Sequence, residues 1–199
     1  MSGMPGGEEM QVESPGVKLT YDDFLLFPED GKRHELIDGE HYVTPAPNFA
    51  HQNIIGNLYF LLRGWTETHP IGRAMLSPFD VVFSRFDVVE PDLLYMSADR
   101  EREILTDLNV QGSPELVVEV ASKSTRKRDE TIKLRLYERM GVSEYWVVDP
   151  WRDVLRVYRR DGAGGERFAA PIQLSREASD VLESPLLPGL TMPLQQIFR

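Results

Sequence analysis

The period of the polarity pattern changes along the chain, and each change marks an element. From Glu115 to Ala121 the sequence reads Glu-Leu-Val-Val-Glu-Val-Ala, apolar on both sides of Glu119 with no alternation. Such a run predicts a strand covered on both faces. From Asp129 to Met140 the spacing becomes helical. Ile132, Leu136 and Met140 form the expected buried seam, Asp129, Lys133 and Tyr137 the adjacent stripe, and Gly141 is suited to end the helix. Tyr145 to Val148 is again a strand, so this stretch predicts a strand–helix–strand unit with a right-handed parallel crossover.

Upstream, Thr20 is suited to cap a short helix reaching Phe27, with Asp22 and Asp23 in its first turn. His34 to Val43 reads as a hairpin turning at Asp38-Gly39. His51 to Thr68 predicts an amphipathic helix with Ile54, Ile55, Leu58, Leu61, Leu62 and Trp65 as its stripe. Strands are expected over 72–76, 79–83 and 92–96, and a loop with one helical turn over 99–111. Downstream, Val154 to Tyr158 alternates as a strand with one wet face, 162–165 is a loop tip, and Pro185 to Leu194 suits a closing edge strand. Tyr145, Trp146 and Trp151 read as core aromatics. The fold class is therefore α/β (α+β mixed), a central mixed β-sheet flanked by helices, in one domain over 17–199. Residues 1–16, rich in Gly, Pro, Glu and Met without periodicity, read as a disordered leader.

Composition narrows the chemistry. With no cysteine among 199 residues, disulfides, thiolate zinc sites and cysteine nucleophiles are excluded. No apolar run approaches membrane-spanning length, and the N-terminus lacks the order of a secretory signal; a cytoplasmic protein without a membrane partner is expected. The formal net charge is −10, which argues against a surface that grips nucleic acid all over. The charge is uneven, however. Between Ser122 and Arg139 seven basic residues outnumber three acids, leaving that segment +4 and the rest −14.

Glu119 is the oddity of the pattern. A carboxylate in a doubly covered strand must be protonated, paired or bound to a metal. Asp92, after Pro91 and before another apolar run, is a second carboxylate; the bland alternative is a Pro-Asp turn. Two carboxylates on neighbouring strands with a lysine nearby suit a hard divalent cation and an activated water. Glu119 lies two residues, roughly 6.5 Å, from its strand's end. Lys133 lies four residues, roughly 6 Å, into the returning helix, so the two side chains fall at one level; the alternative is a surface lysine. Glu35 is either a third acid at the site or a solvent-facing strand residue. His51 reads mainly as a helix-start residue. His34, His41 and His69 show no metal-ligand spacing, and neither a Gly-x-Ser-x-Gly elbow nor a phosphate-binding Gly-Lys-Ser/Thr loop is present.

The segment Pro114 to Asp129, then Lys133, Tyr137, Gly141-Val142 and Glu144 to Pro150, resembles the Uma family of putative restriction endonucleases, a branch of the PD-(D/E)xK nuclease superfamily. Glu35 to Glu40, His51, Pro91-Asp92 and Leu187 to Leu190 share in the resemblance, which covers nearly everything after the leader. It implies a restriction-endonuclease-like mixed sheet, a Mg²⁺ site (Mn²⁺ as substitute) and phosphodiester chemistry on DNA. Asp92 and Glu119 would then be metal ligands, with Glu35 reaching the ion through water. The superfamily pattern wants a lysine two residues beyond the second acid, where Ala121 stands; in this branch the helix lysine, Lys133, takes that role. Lys123 stands where the family tends to have proline. Lys123, Arg126, Lys127 and Arg128 would hold flanking phosphates. A duplex cutter needs two sites, which implies a two-fold homodimer. The alternatives are a catalytically silent nuclease-fold module that binds nucleic acid or protein, and a hydrolase of small phosphate esters.

Overall fold

A computed structural model describes residues 16–44, 46–122, 125–161 and 165–199. The sequence expectations for 1–15, for Lys123 and for most of the 162–165 loop tip lie outside the described residues.

The chain begins with α1 (Tyr21–Phe24), shorter than expected but capped by Thr20 in a reciprocal box with Asp23. The hairpin β1 (Arg33–Ile37) and β2 (Glu40–Thr44) turns at Asp38 and Gly39, both with positive φ, the conformation that favours Asp-Gly in a two-residue turn. Then follow α2 (Phe49–Thr68), capped by Asn48, and β3 (Gly72–Leu76), β4 (Val81–Ser84), β5 (Asp87–Val89) and β6 (Leu93–Ser97). After α3 (Ala98–Ile104), β7 (Val110–Gln111) and β8 (Leu116–Val120) comes one continuous helical run. It consists of α4 (Arg126–Arg128), a π-helical turn (Asp129–Lys133) and α5 (Leu134–Arg139). The chain closes with β9 (Glu144–Asp149), β10 (Val154–Arg159), β11 (Ile172–Ser175), β12 (Val181–Glu183), β13 (Thr191–Pro193) and α6 (Leu194–Ile197).

The mixed sheet and its flanking helices are present, but the strands divide. A six-stranded sheet has the order β11-β10-β9-β8-β6-β3, and only its β8–β9 pair is parallel. A second, five-stranded sheet has the order β2-β1-β5-β4-β7. The expected closing strand does not edge the main sheet: β13 pairs with β12 in a separate two-stranded ribbon, and β11 takes the edge. Pro and Gly leave only three residues there able to make a ladder.

Two apolar clusters cover the six-stranded sheet. On one face Leu116, Val118 and Val120 pack with Ile54, Leu58 and Leu62 of α2 and with the C-terminal ribbon. On the other, Val117 and Val147 pack with Leu136 and Tyr137, and with Ile37, Val81 and Val89 of the second sheet. That double cover is the physical reason for the unbroken apolar run of β8. Tyr145 and Trp146 are buried as expected, but Trp151 is 46% exposed: it follows β9 in a turn, beyond both clusters. Among the described residues no helix is long and apolar enough to cross a membrane.

Candidate active site

Side chains alternate along β8, so Glu119 points with Val117 toward the second sheet. There it meets Lys133, whose Nζ donates to Glu119 Oε1 at 2.7 Å and lies 2.7 Å from Glu35 Oε1 on β1. Tyr137, one turn on, donates its hydroxyl to the same Glu119 oxygen at 2.6 Å. Lys133 is 2% exposed.

The helix face differs from the expected one. Ile132 is 37% exposed, whereas Asp129, Lys133, Leu136 and Tyr137 are buried. Asp129, Ile132 and Lys133 all lie within the π-turn, where the 3.6-residue spacing that would bury Ile132 does not hold. Burial of a lysine stripe in place of an isoleucine is possible because Glu35, Glu119 and Asp129 surround the ammonium with negative charge.

Asp92 lies just before β6. The register Leu93↔Val118, continued one step, sets it opposite Glu119. Its Oδ1 accepts from Arg33 Nη1 at 2.6 Å, and its Oδ2 accepts from the Val120 backbone N–H at 2.8 Å. His51 Nε2 of α2 stands 3.1 Å from that Oδ2. The structure thus brings together Glu35, Glu119 and Lys133, with Asp92 alongside.

The electrostatics separate these acids. Burial pushes the Glu119 carboxyl up, to about 8, and Asp92, Asp129 and Glu35 add to the push against the pull of Lys133. Burial also acts on Glu35, but Lys133, Arg128 and Arg33 outweigh it and hold its carboxyl low. Asp92 is likewise held low against burial, by the His51 hydrogen bond and the Arg33 guanidinium. Lys133 resists burial and binds its proton more tightly than usual, because Glu119 and Glu35 both face it. One ammonium shared by two carboxylates favours the one with extra cations, and that is Glu35.

Of the residues expected to hold flanking phosphates, Lys127 is exposed. Arg126 instead bridges Glu130 at 3.1 Å and Asp149 at 3.2 Å. Arg128 donates to Thr44 at 2.6 Å, lies 3.4 Å from Glu35 Oε2 and covers the Tyr42 ring. Sequence reasoning missed Arg33 and Tyr137 as members of the cluster and read His51 as a helix-start residue. A signal for Arg33 existed: it precedes Glu35 by two residues, so both side chains share one face of β1.

Tyr137→Phe is expected to cost about 0.5–1.5 kcal/mol in urea unfolding, since it removes one of the two donors to the buried Glu119 carboxyl. An unchanged midpoint would mean that the hydroxyl gives Glu119 nothing.

Comparison with known proteins gives three findings. The family model Uma2, described as "Putative restriction endonuclease", matches residues 21–195. Comparison with curated proteins returns no match. Among solved structures, a putative nuclease belonging to DUF820 from Anabaena variabilis superposes with a TM-score of 0.75 at 19% identity, over 90% of this chain and 97% of that one. At that identity the likeness shows the fold alone.

Proposed function

Because the chain belongs to the Uma2 family of putative restriction endonucleases, we propose that it is a Mg²⁺-dependent phosphodiester hydrolase acting on DNA. One arrangement supports this most: a buried lysine held at 2.7 Å by carboxylates from two different sheets, with Asp92 opposite one of them. Such a cluster contributes little to stability, since apolar side chains of the same volume would serve the fold as well. Buried charges with displaced pKa values are characteristic of sites.

The donor set fits magnesium. That ion takes hard oxygen ligands, needs one or two carboxylates and keeps several waters. Glu35 and Asp92 are held ionised beside Arg33, Arg128 and Lys133, while burial keeps a proton on Glu119 to about pH 8, so a bound cation would displace that proton. Among the described residues no three His, Asp or Glu side chains form a ready ligand cage; Asp92 and Glu119 would hold the ion, with water and the substrate phosphate as its other partners. When bound, Mg²⁺ or Mn²⁺ supplies the charge that polarises the phosphate and acidifies an attacking water. Glu35 anchors Lys133, and the Lys133 ammonium donates toward the water or toward the charge that grows on the phosphate. Duplex cutting would take two such sites in a two-fold homodimer, in a cytoplasmic setting.

The test is cleavage of plasmid and linear DNA in Mg²⁺, its loss in chelator and its return with Mg²⁺ or Mn²⁺. Undiminished cleavage in excess chelator would remove the metal mechanism, and hydrolysis of a small aryl phosphodiester but not DNA would change the substrate class. One observation favours a second reading, a silent nuclease-fold module: Arg33 already occupies Asp92 Oδ1. Calorimetric titration with Mg²⁺ separates the two, because the silent module has no need of the ion.

A further inference from the structure

Two cavities open side by side around Arg33 and His51, the two side chains paired with Asp92. The first, about 210 Å³, is lined by Asn48, Ala121, Thr125, Pro150 and Trp151. The second, about 260 Å³, is lined by Gln52, Ile55, Leu76, Pro78 and Asp92. Arg33, Thr44, Ala46, Pro47 and His51 belong to both walls. Pockets for drug-sized ligands measure about 300–1,000 Å³, so each of these smaller chambers suits a single ring system.

Three features define the occupant of the first chamber. Trp151, 46% exposed, borders it with an aromatic ring that the core does not use. The shared wall carries His51, 5% exposed, whose Nδ1 is buried and has no hydrogen-bond partner among the described residues. Finally, Arg33, Arg126 and Arg128 are engaged in ion pairs, with Asp92, with Glu130 and Asp149, and with Glu35. Lys127 stays exposed, so on a chain of net charge −10 the described residues of this segment suit contact with one phosphate backbone better than with the two of a duplex. Stacking on an aromatic ring needs an exposed base face, which a paired duplex withholds, and a single strand brings only one backbone to be held.

We propose that the cleft takes single-stranded DNA, with a base beside the scissile phosphate unstacked and lodged in the first chamber against Trp151. This rests on the phosphodiesterase reading and names its substrate class. A single strand also needs only one site per cut, so the protomer suffices.

The test uses the full chain with a fluorescein-labelled single-stranded oligodeoxynucleotide and the hairpin duplex of the same sequence. Binding is followed by anisotropy in chelator, and cleavage by kcat and KM in Mg²⁺. The single strand is expected to bind at least about 10-fold more tightly than the hairpin. Trp151→Ala should weaken single-strand binding by about 10- to 100-fold, the range of one lost base–aromatic stack. It should act through KM, while Trp151→Phe retains most of the affinity. Equal affinities for the two forms, or an unaffected Trp151→Ala variant, overturn the pocket; cleavage of the hairpin alongside either result leaves the phosphodiesterase reading standing. Neither binding nor cleavage of either form overturns both.

Discussion

Glu119→Gln is expected to abolish DNA cleavage and leave the protein at least as stable as before at pH 8. The loss of activity follows if Glu119 is a metal ligand, since a neutral amide holds Mg²⁺ far less well than a carboxylate. The stability result follows from its pKa, which burial raises from 4.5 to about 8. Between those values the folded state keeps a proton that the unfolded chain has released, so stability falls as pH rises through the window and the penalty is complete above it. Glutamine stays neutral throughout, so the variant should lose that slope. Asp92→Asn should also abolish cleavage, with the opposite effect on stability. Asp92 is held below its usual 3.8 by His51 and Arg33, so its contribution is present above 3.8 and is lost as pH falls through the lower folded value. Asparagine forfeits that contribution at neutral pH and leaves Arg33 facing no charge, a cost of about 3–5 kcal/mol where such a pair is buried. Urea unfolding at pH 5 and pH 8 beside a cleavage assay reads all four results. Full activity in either variant would sink the assignment, and a Glu119→Gln protein much less stable than the parent at pH 8 would sink the account of its charge.

That contrast between two carboxylates was only half legible in the sequence. Glu119 stood out because Leu116 to Ala121 leaves it no wet face, and the structure agrees: its neighbours on both sides of the strand are buried. The level match of Lys133 to Glu119 was legible too, because strand rise and helix rise are fixed by backbone geometry. What could not be read was which charges find partners across long separations. Arg33 and Asp92 are 59 residues apart, and Arg128 and Thr44 are 84 apart. In a list of residue types a paired arginine and a solvated one look alike, so the ion pairs of Arg126 and Arg128 had no signal there. The division into two sheets was hidden for a related reason. The second sheet is completed by β5, with three residues, and β7, with two, too short for a period to register. Ile132 was misplaced because the 3.6-residue period assumes a regular helix, and the π-turn breaks it.

Lys133→Met is the variant on which the proposed mechanism depends most. It is expected to lower turnover by two or more orders of magnitude, about 3 kcal/mol in the barrier. Stability should fall as well, because Nζ lies 2.7 Å from Glu35 and its removal strips that buried, ionised carboxylate of its nearest cation, typically about 3–5 kcal/mol for a broken buried pair. Loss of activity alone would therefore not separate a catalytic lysine from a structural one, but the combined variant Lys133→Met/Glu35→Gln does. Glu35 is the carboxyl that Lys133 helps to hold ionised, and the amide removes that buried charge, so much of the lost stability should return, with a coupling of about 0.5–3 kcal/mol. Turnover should not return, since the donor that serves the reacting phosphate is still missing. Lys123→Ala makes the comparison complete: four residues beyond Glu119, it is expected to raise KM and leave kcat close to the parent value. Should Lys123→Ala abolish turnover at saturating Mg²⁺ while Lys133→Met stays active, Lys123 completes the site and the helix lysine only balances the charge of the acids around it.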